Sequence, residues 1–495
     1  MTNIRRPAGE PDLEPTLFEQ SKHGRGGDKI APPGQNALAG IPDKALRDMP
    51  AALPELAEPQ VARHFTRLSQ QNYAIDTGFY PLGSCTMKYN PKLHEWAARL
   101  PGFAHLHPLA PEQTTQGTLR MLYEIEGFLC EIGGMKAGTL QPAAGAHGEL
   151  TAMLIVRRYH HDRGDLGRKQ VIVPDSAHGT NPATASMVGF ETVTIPSAGD
   201  GGVDVDALRA ALGPQTAAFM LTNPSTLGLF EGRITEILAA VHDAGALAYM
   251  DGANLNAVMG KFKPGKAGFD AMHFNLHKTF STPHGGGGPG SGPVAVGDGL
   301  APYLPSPRVV REGNTYRFER PDERPRAIGR MAAFHGNAGV LLRAYAYIRT
   351  HGGPGLERVS EDAVLSANYL RARVSSSFDI PFDRVCKHEF VASARSLKEE
   401  TGVRAFDVAK ALLDHGFHPP TIYFPLSVEE AMLIEPTETE TLETIDRFAD
   451  ALADIAEDAR SDPERIRTAP HSTPVRRVDE TAAARKPDLR YRDSA

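Results

Sequence analysis

Residues His273–Val296 read HFNLHKTFSTPHGGGGPGSGPVAV. The stretch sets His277 and Lys278 at the end of an apolar-alternating run and follows them with four consecutive glycines, Gly285 to Gly288. Alternation of this kind reads as a strand, and glycine lets the backbone turn sharply or approach a ligand closely. A lysine after a strand is most simply a solvated edge residue. The alternative is a lysine held for covalent chemistry, and the ends of the neighbouring strands decide between the two.

Working outward, short apolar runs alternate with amphipathic ones. Candidate strands are GTLQP (138–142), QVIVPD (170–175), AAFMLTN (217–223), ALAYMDG (246–252), AMHFNLH (271–277) and GPVAV (292–296). Candidate helices are 114–133, with Leu119, Leu122, Ile125 and Leu129 at helical spacing before Gly133 and Gly134, then 149–160, and 233–244, with Ile234, Ile237, Leu238 and Val241 on one stripe before Gly245. Strand and helix in alternation predict a mainly parallel, three-layer α/β sheet. Ligands of such sheets sit beyond the carboxyl ends of the strands.

The flanks differ in texture. The first 60 or so residues are rich in Pro, Gly and charge and read as an extended arm, and the arm with its following segment is set at 1–110. The sheet domain is expected over 111–330. A smaller α+β domain is expected over 331–470, beginning with a helical stretch near 332–349, and a charged tail covers 471–495. Hydrophobic residues make up 41% of the 495, charged residues 23%, and the net charge is -7. That balance gives no electrostatic reason to expect nucleic acid or an anionic membrane as the partner. No apolar run nears the roughly 20 residues of a bilayer span, and MTNIRRPAGEPDLEP has no apolar signal core, so a cytoplasmic location is expected. Cys85, Cys130 and Cys386 are odd in number and far apart, and neither HExxH nor paired CxxC occurs. Disulfides and a metal centre are not expected.

Asp251 ends the run before Lys278. An acid and a lysine on neighbouring strand ends could form a salt bridge. They are also the pair that pyridoxal phosphate requires: the lysine binds its aldehyde covalently, and the acid keeps the ring nitrogen protonated so that the ring accepts electrons. AAGAHGE lies where a strand meets a helix start, so the backbone at Gly145, Ala146 and His147 could hold a phosphate; a tight turn explains it equally well. His178 follows another strand end and could stack on the ring, or be a surface histidine; Thr222 and Asn223 offer hydrogen bonds at the next. Four successive strand ends with compatible groups are harder to dismiss than any one.

HKTF and GGGGPG, with DTGFYPLGSCTMKYNPK (76–92), QPAAGAHGE (141–149), DSAHGTNPATA (175–185), LTNPSTLGLFEG (221–232), MDGANLNA (250–257), MLIEPTETE (432–440) and APHSTPVRRVDE (469–480), carry a resemblance over nearly the whole chain. The chain resembles the pyridoxal-phosphate glycine decarboxylases of the glycine cleavage system, the P-proteins, in their lysine-bearing half. The resemblance implies a fold-type I, aspartate aminotransferase-like enzyme with a seven-stranded sheet. Lys278 matches the cofactor lysine and Asp251 the ring-nitrogen partner; Ala253 and His178 fall on opposite ring faces, and His277 joins the cofactor set. Tyr80, Ser84, Cys85 and Lys88 become pocket candidates, and Gly285–Gly288 a loop near the phosphate. It further implies glycine as substrate, aminomethyl transfer to the lipoyl arm of an H-protein, and a homologous lysine-lacking subunit 1 in a two-plus-two heterotetramer. The rivals are another fold-type I enzyme such as an aminotransferase or desulfurase, which leaves SCTMKYNP and GGGGPG unexplained, a non-catalytic partner subunit, which needs no Lys278, and a plain phosphate-binding module, which needs no Lys/Asp pair.

Overall fold

The computed structural model describes residues 13–25, 39–49, 51–83, 85–284 and 288–489. Chain contacts group residues 78–469 into one unit, and residues 1–77 with 470–495 into another. In the smaller unit a helix over Glu58–Gln70 carries His64 and Arg67. Both hold Glu14, with Arg67 Nε at 2.6 Å and His64 Nδ1 at 3.0 Å. The Arg67 hydrogen bond leads in pulling the Glu14 pKa down to about 2.

The larger unit is built on seven strands: β1 (Ala137–Thr139), β2 (Gln170–Pro174), β3 (Glu191–Ile195), β4 (Thr216–Thr222), β5 (Leu247–Asp251), β6 (Ala271–His273) and β7 (Val294–Val296). Their order is β1-β7-β6-β5-β4-β2-β3. β7 runs antiparallel to both neighbours and every other pairing is parallel. Around them lie α1 (Gln116–Gly133), α2 (Gly145–Asp162), α3 (Thr180–Val188), α4 (Ile234–Asp243), the single turn α5 (Leu276–Thr279), the long α6 (Ala338–Val374) and α7 (Leu442–Ser461).

Two-residue alternation sorts the strands onto two cores. Phe219, Leu221, Ala248 and Met250 pack with Leu122 and Ile125 of α1, Ile237 and Val241 of α4, and Leu341 of α6. Ala218, Met220 and Tyr249 face the other way, onto Met153 and Val156 of α2 and Val188 of α3. Strands buried on both faces read as continuous apolar runs, and this sheet is the expected three-layer one.

The bounds differ from the sequence reading in instructive places. β3, ETVTI, has no counterpart among the candidate strands because it is the half-exposed edge of the sheet. α2 begins at Gly145, four residues before the candidate helix, because its first turn is Gly-Ala-His-Gly, a run whose glycines propensity reads as a turn. β6 stops at His273. The Asn275 carbonyl then accepts the N–H groups of Lys278 at 3.1 Å and Thr279 at 3.0 Å, so Lys278 rides on a helical turn and not on the strand.

Beyond the sheet a hairpin of β8 (Val309–Glu312) and β9 (Thr315–Phe318) precedes α6. α6 extends well past its expected end at residue 349 and kinks at Gly352, whose φ of 60° suits a residue without Cβ. It leads into a small antiparallel sheet, β10 (Phe390–Ser393), β11 (Thr421–Ile422) and β12 (Ala431–Ile434) in the order β10-β12-β11. Residues 78–110, which the sequence reading grouped with the arm, belong to the same contact unit as the sheet.

Candidate active site

The carboxyl ends of β2, β4, β5 and β6 open onto one cavity of about 250 Å3, lined among others by Gly145, Ala146, His178, Thr222, Asp251 and Lys278. A second, of about 190 Å3, shares His178, Cys85 and Lys278 with it and extends to Glu389 and Glu435. A larger hollow of about 800 Å3 lies among Phe230, Phe262 and Leu365. Among the described residues, none of the candidate site residues lines it.

Asp251 forms the floor. Its side chain is 3% exposed. The Ala253 N–H donates to Oδ1 at 2.9 Å and Asn181 Nδ2 donates to Oδ2 at 3.1 Å. His273 Nε2 lies 3.5 Å from Oδ1. The Tyr249 hydroxyl sits 2.5 Å from His273 Nδ1, and burial keeps that phenol protonated, so it donates to Nδ1 and leaves Nε2 as the N–H facing Asp251. Burial by itself would raise the Asp251 pKa. His273, the Ala253 N–H, Asn181 and Lys278 outweigh it and hold the carboxyl below its ordinary range.

Lys278 lies partly buried on α5. Among the described residues its ammonium makes no ion pair, while its charge is felt by Asp251, His178, Glu389 and Glu435. Its amine is therefore open to the cavity that it lines. His178 accepts the Thr180 N–H at Nδ1, at 3.2 Å; although the residue is exposed, partial desolvation lowers its imidazole pKa, with Asp251 opposing and Lys278 reinforcing.

The opposite wall is the N-terminus of α2. Ala144 provides no side-chain cap, so the first N–H groups lack intrahelical acceptors. A Cβ on Gly145 would stand 2.2 Å from Asn275 Oδ1, and one on Gly148 2.6 Å from the Gly292 carbonyl. Glycine is therefore what lets this helix start close in on the strand ends. Thr222 Oγ1, Asn275 Oδ1, Glu149 Oε2 and His277 Nδ1 are buried beside the cavity with no hydrogen-bond partner, a set of polar atoms that a ligand carrying both donors and acceptors would satisfy.

Several sequence candidates take other places. His147 does not line the cavity; its Nδ1 accepts the Ala143 N–H at 3.2 Å. Asn223 lies under the wall with Oδ1 accepting the Glu231 N–H at 3.1 Å. Lys88 also stays out, because its buried ammonium bonds Glu438 at 2.5 Å and the Thr279 carbonyl at 3.1 Å. Tyr80 stacks on His418 with ring centroids 3.7 Å apart. Cys85 lines both cavities, and burial raises Cys130 and Cys386 to about 12 and about 11, as expected of small packed side chains. Ser84 and Gly285–Gly287 lie outside the described residues.

The sequence reading did not single out Glu149, Asn181, His273, Glu389 or Glu435. Glu149 had a detectable signal: with Ala152, Met153 and Val156 it forms the buried stripe of α2, and an acid on an apolar stripe calls for a reason. Among the described residues neither cavity is lined by an arginine.

Comparison with known proteins places this arrangement. The glycine dehydrogenase C-terminal domain family matches residues 359–473, and the class-V aminotransferase family matches residues 151–287. A Thermotoga maritima protein described as a probable glycine dehydrogenase (decarboxylating) subunit 2 is 56% identical over 477 residues, covering 96% of this chain and 100% of the relative. The chain belongs to the glycine dehydrogenase (decarboxylating) subunit 2 family. Another such subunit 2, from Methylococcus capsulatus, is 56% identical over 481 residues, 97% of this chain and 99% of the relative. A solved glycine decarboxylase (P-protein) of the glycine cleavage system, in inhibitor-bound form, matches with a TM-score of 0.71 at 22% identity over 86% of this chain and 95% of that one. A NifS-like protein matches with a TM-score of 0.58 at 15% identity over 75% of this chain and 97% of that one. At these identities the structures show the fold, fold-type I. The subunit 2 family is thus one of pyridoxal-phosphate enzymes, and its designation implies a subunit 1. Among the described residues no helix is long and apolar enough to cross a membrane.

Proposed function

We propose that this chain binds pyridoxal phosphate through Lys278 and decarboxylates glycine, passing the remaining aminomethyl group to the lipoyl arm of an H-protein with a lysine-lacking subunit 1 as partner. One observation carries the reading. An unpaired lysine, an aspartate held ionised and an uncapped helix N-terminus converge on one cavity of about 250 Å3.

The residues fit the cofactor. Lys278 would hold its aldehyde, Gly145 and Ala146 its phosphate, Asp251 its ring nitrogen, with Ala253 and His178 toward the ring faces and Thr222 and His277 at its edge. When bound, the group supplies an electron sink for the pair of electrons left on carbon as CO2 departs.

The chain's own residues account for the rest. Asp251 stays anionic beside Asn181 and the His273 N–H, so a proton on a ring nitrogen there is retained. Lys278, whenever its amine is not committed to the aldehyde, would carry a proton at Nζ. Desolvation, which lowers the His178 pKa, disfavours a positive charge there beside the substrate carboxylate. Among the described residues lining the two cavities there is no guanidinium.

The test mixes the chain with and without subunit 1, the lipoylated H-protein and carboxyl-labelled glycine. Label leaves as CO2 if the reading holds. No release under either condition refutes glycine decarboxylation.

A further inference from the structure

We infer that Glu389 and Glu435 form a coupled carboxyl pair that holds one proton and that Glu389 donates the proton taken up by the sulfur released when the substrate carbon attacks a cyclic disulfide. The inference rests on the reading under Proposed function and adds a residue to it.

The pair arises from the small sheet. β10 and β12 run antiparallel with Phe390 opposite Ile434, so one residue further on Glu389 and Glu435 emerge side by side. Both line the cavity of about 190 Å3 that also contains Lys278. Oxygens of the two carboxyls and a nitrogen of His388 lie within 4.8 Å of one another. His388 is wholly buried, neither ring nitrogen has a hydrogen-bond partner, and Nε2 stands 3.4 Å from Glu389 Oε1.

Hydrogen bonds divide the roles. Glu435 accepts from Thr86 Oγ1 at 2.9 and 2.7 Å and from Asn256 Nδ2 at 3.2 Å, which favours its ionised form. Glu389 accepts from Asn254 Nδ2 at 3.2 Å. Two carboxyls this close in a buried site do not both ionise, so the proton resides on Glu389. Burial first and then Glu435 push the Glu389 pKa up, with Lys278 opposing. Burial likewise lifts Glu435 to about 7, where Glu438 adds to it and Thr86, Lys88 and Lys278 oppose. His388, facing Lys278 and Lys88, is driven down to about 3, chiefly by burial, and is neutral.

The chemistry needs such a donor. After CO2 leaves, the substrate carbon bonds one sulfur of the disulfide and the S–S bond breaks. Its electron pair leaves on the second sulfur, which takes the Glu389 proton. The disulfide is reduced by two electrons and the carbon is oxidised. Solvent returns a proton to the pair before the next turnover. Neutral imidazoles at His178 and His388 are poor acids for this step.

Two measurements test it. Infrared spectra of the cofactor-free and cofactor-loaded chain at neutral pH, each taken as the difference against its Glu389→Gln counterpart, should show a protonated-carboxyl C=O band separate from that of Glu149; the absence of that band overturns the proposal. In the full assembly, Glu389→Gln should keep the glycine-induced change in cofactor absorbance while free thiol on the lipoyl protein appears roughly 100-fold more slowly. Glu389→Asp should restore most of that rate. Glu435→Gln, by removing a neighbouring negative charge, should move the basic limb of the thiol-release pH profile to lower pH. Thiol release unchanged in Glu389→Gln, or lost together with the absorbance change, rejects the donor role. Failure of the unaltered assembly to release labelled CO2 instead rejects the parent reading.

Discussion

Glu149 and Asp251 stand in the cavity floor with carboxyl oxygens within 4.8 Å of each other and of His273, and their protonation is driven in opposite directions. Asp251 collects the Ala253 N–H, Asn181 and the His273 N–H. Glu149 accepts the Thr180 hydroxyl at 2.7 Å on one oxygen and has no partner on the other. Burial first, then Asp251, raises Glu149 to about 8. The floor therefore carries one negative charge at neutral pH, placed on Asp251 by its hydrogen bonds.

The sign of the consequence follows from linkage. The folded state keeps a proton on Glu149 that the unfolded state gives up from the ordinary carboxyl value of 4.5 upward, so this stabilisation is complete below that pH and is lost as pH climbs to about 8. Relative to Glu149→Gln, unfolding free energy should fall by up to about 1.4 kcal/mol per pH unit across that window. Paired denaturant titrations check it. Parallel curves for the two proteins would refute the protonated floor.

Lys278→Ala should leave the far-ultraviolet circular dichroism intact, abolish the visible band gained with pyridoxal phosphate, and cut label release by on the order of 10⁴-fold. Lys278→Arg separates charge from nucleophilicity. It keeps the cation but cannot deprotonate to attack an aldehyde, so it should fail equally. Turnover in either variant removes Lys278 from the mechanism.

Gly145→Ala tests the helix wall. The added methyl would stand 2.2 Å from Asn275 Oδ1, forcing the α2 start outward at a cost of about 1–3 kcal/mol. Cofactor affinity should weaken with stability, read by fluorescence titration and thermal melting. Ala146→Gly, next to it and exposed, introduces no clash and should leave the fold intact.

The central strands were legible because parallel strands buried on both faces leave continuous apolar runs such as QVIVPD and AAFMLTN. ETVTI at the edge lacked that signal, its residues being half exposed. Asp251 and Lys278 were legible because each ends or follows such a run. Their supporting shell was not: Glu389 and Glu435 meet through the register of the small sheet, which no local pattern in CKHEF or MLIEP encodes. Lys88 misled for a related reason. Its backbone sits where the motif predicts, but its side chain is drawn away by a distant partner, Glu438.

Lys88 supplies the last prediction. Its side chain is 0% exposed and that of Glu438 6%, so the pair is a buried clasp joining the SCTMKYNP segment to the loop after β12. It also holds the Thr279 carbonyl, one residue from Lys278. Lys88→Met removes the cation and leaves Glu438 buried without it, which costs about 3 kcal/mol or more. Glu438→Gln should cost a similar amount, and the double variant clearly less than the sum, because each partner's burial is penalised only while the other charge is missing. Urea titrations of the four proteins measure the coupling. Additive losses would show that Lys88 acts alone, and a loss of turnover without any loss of stability would return Lys88 to the pocket.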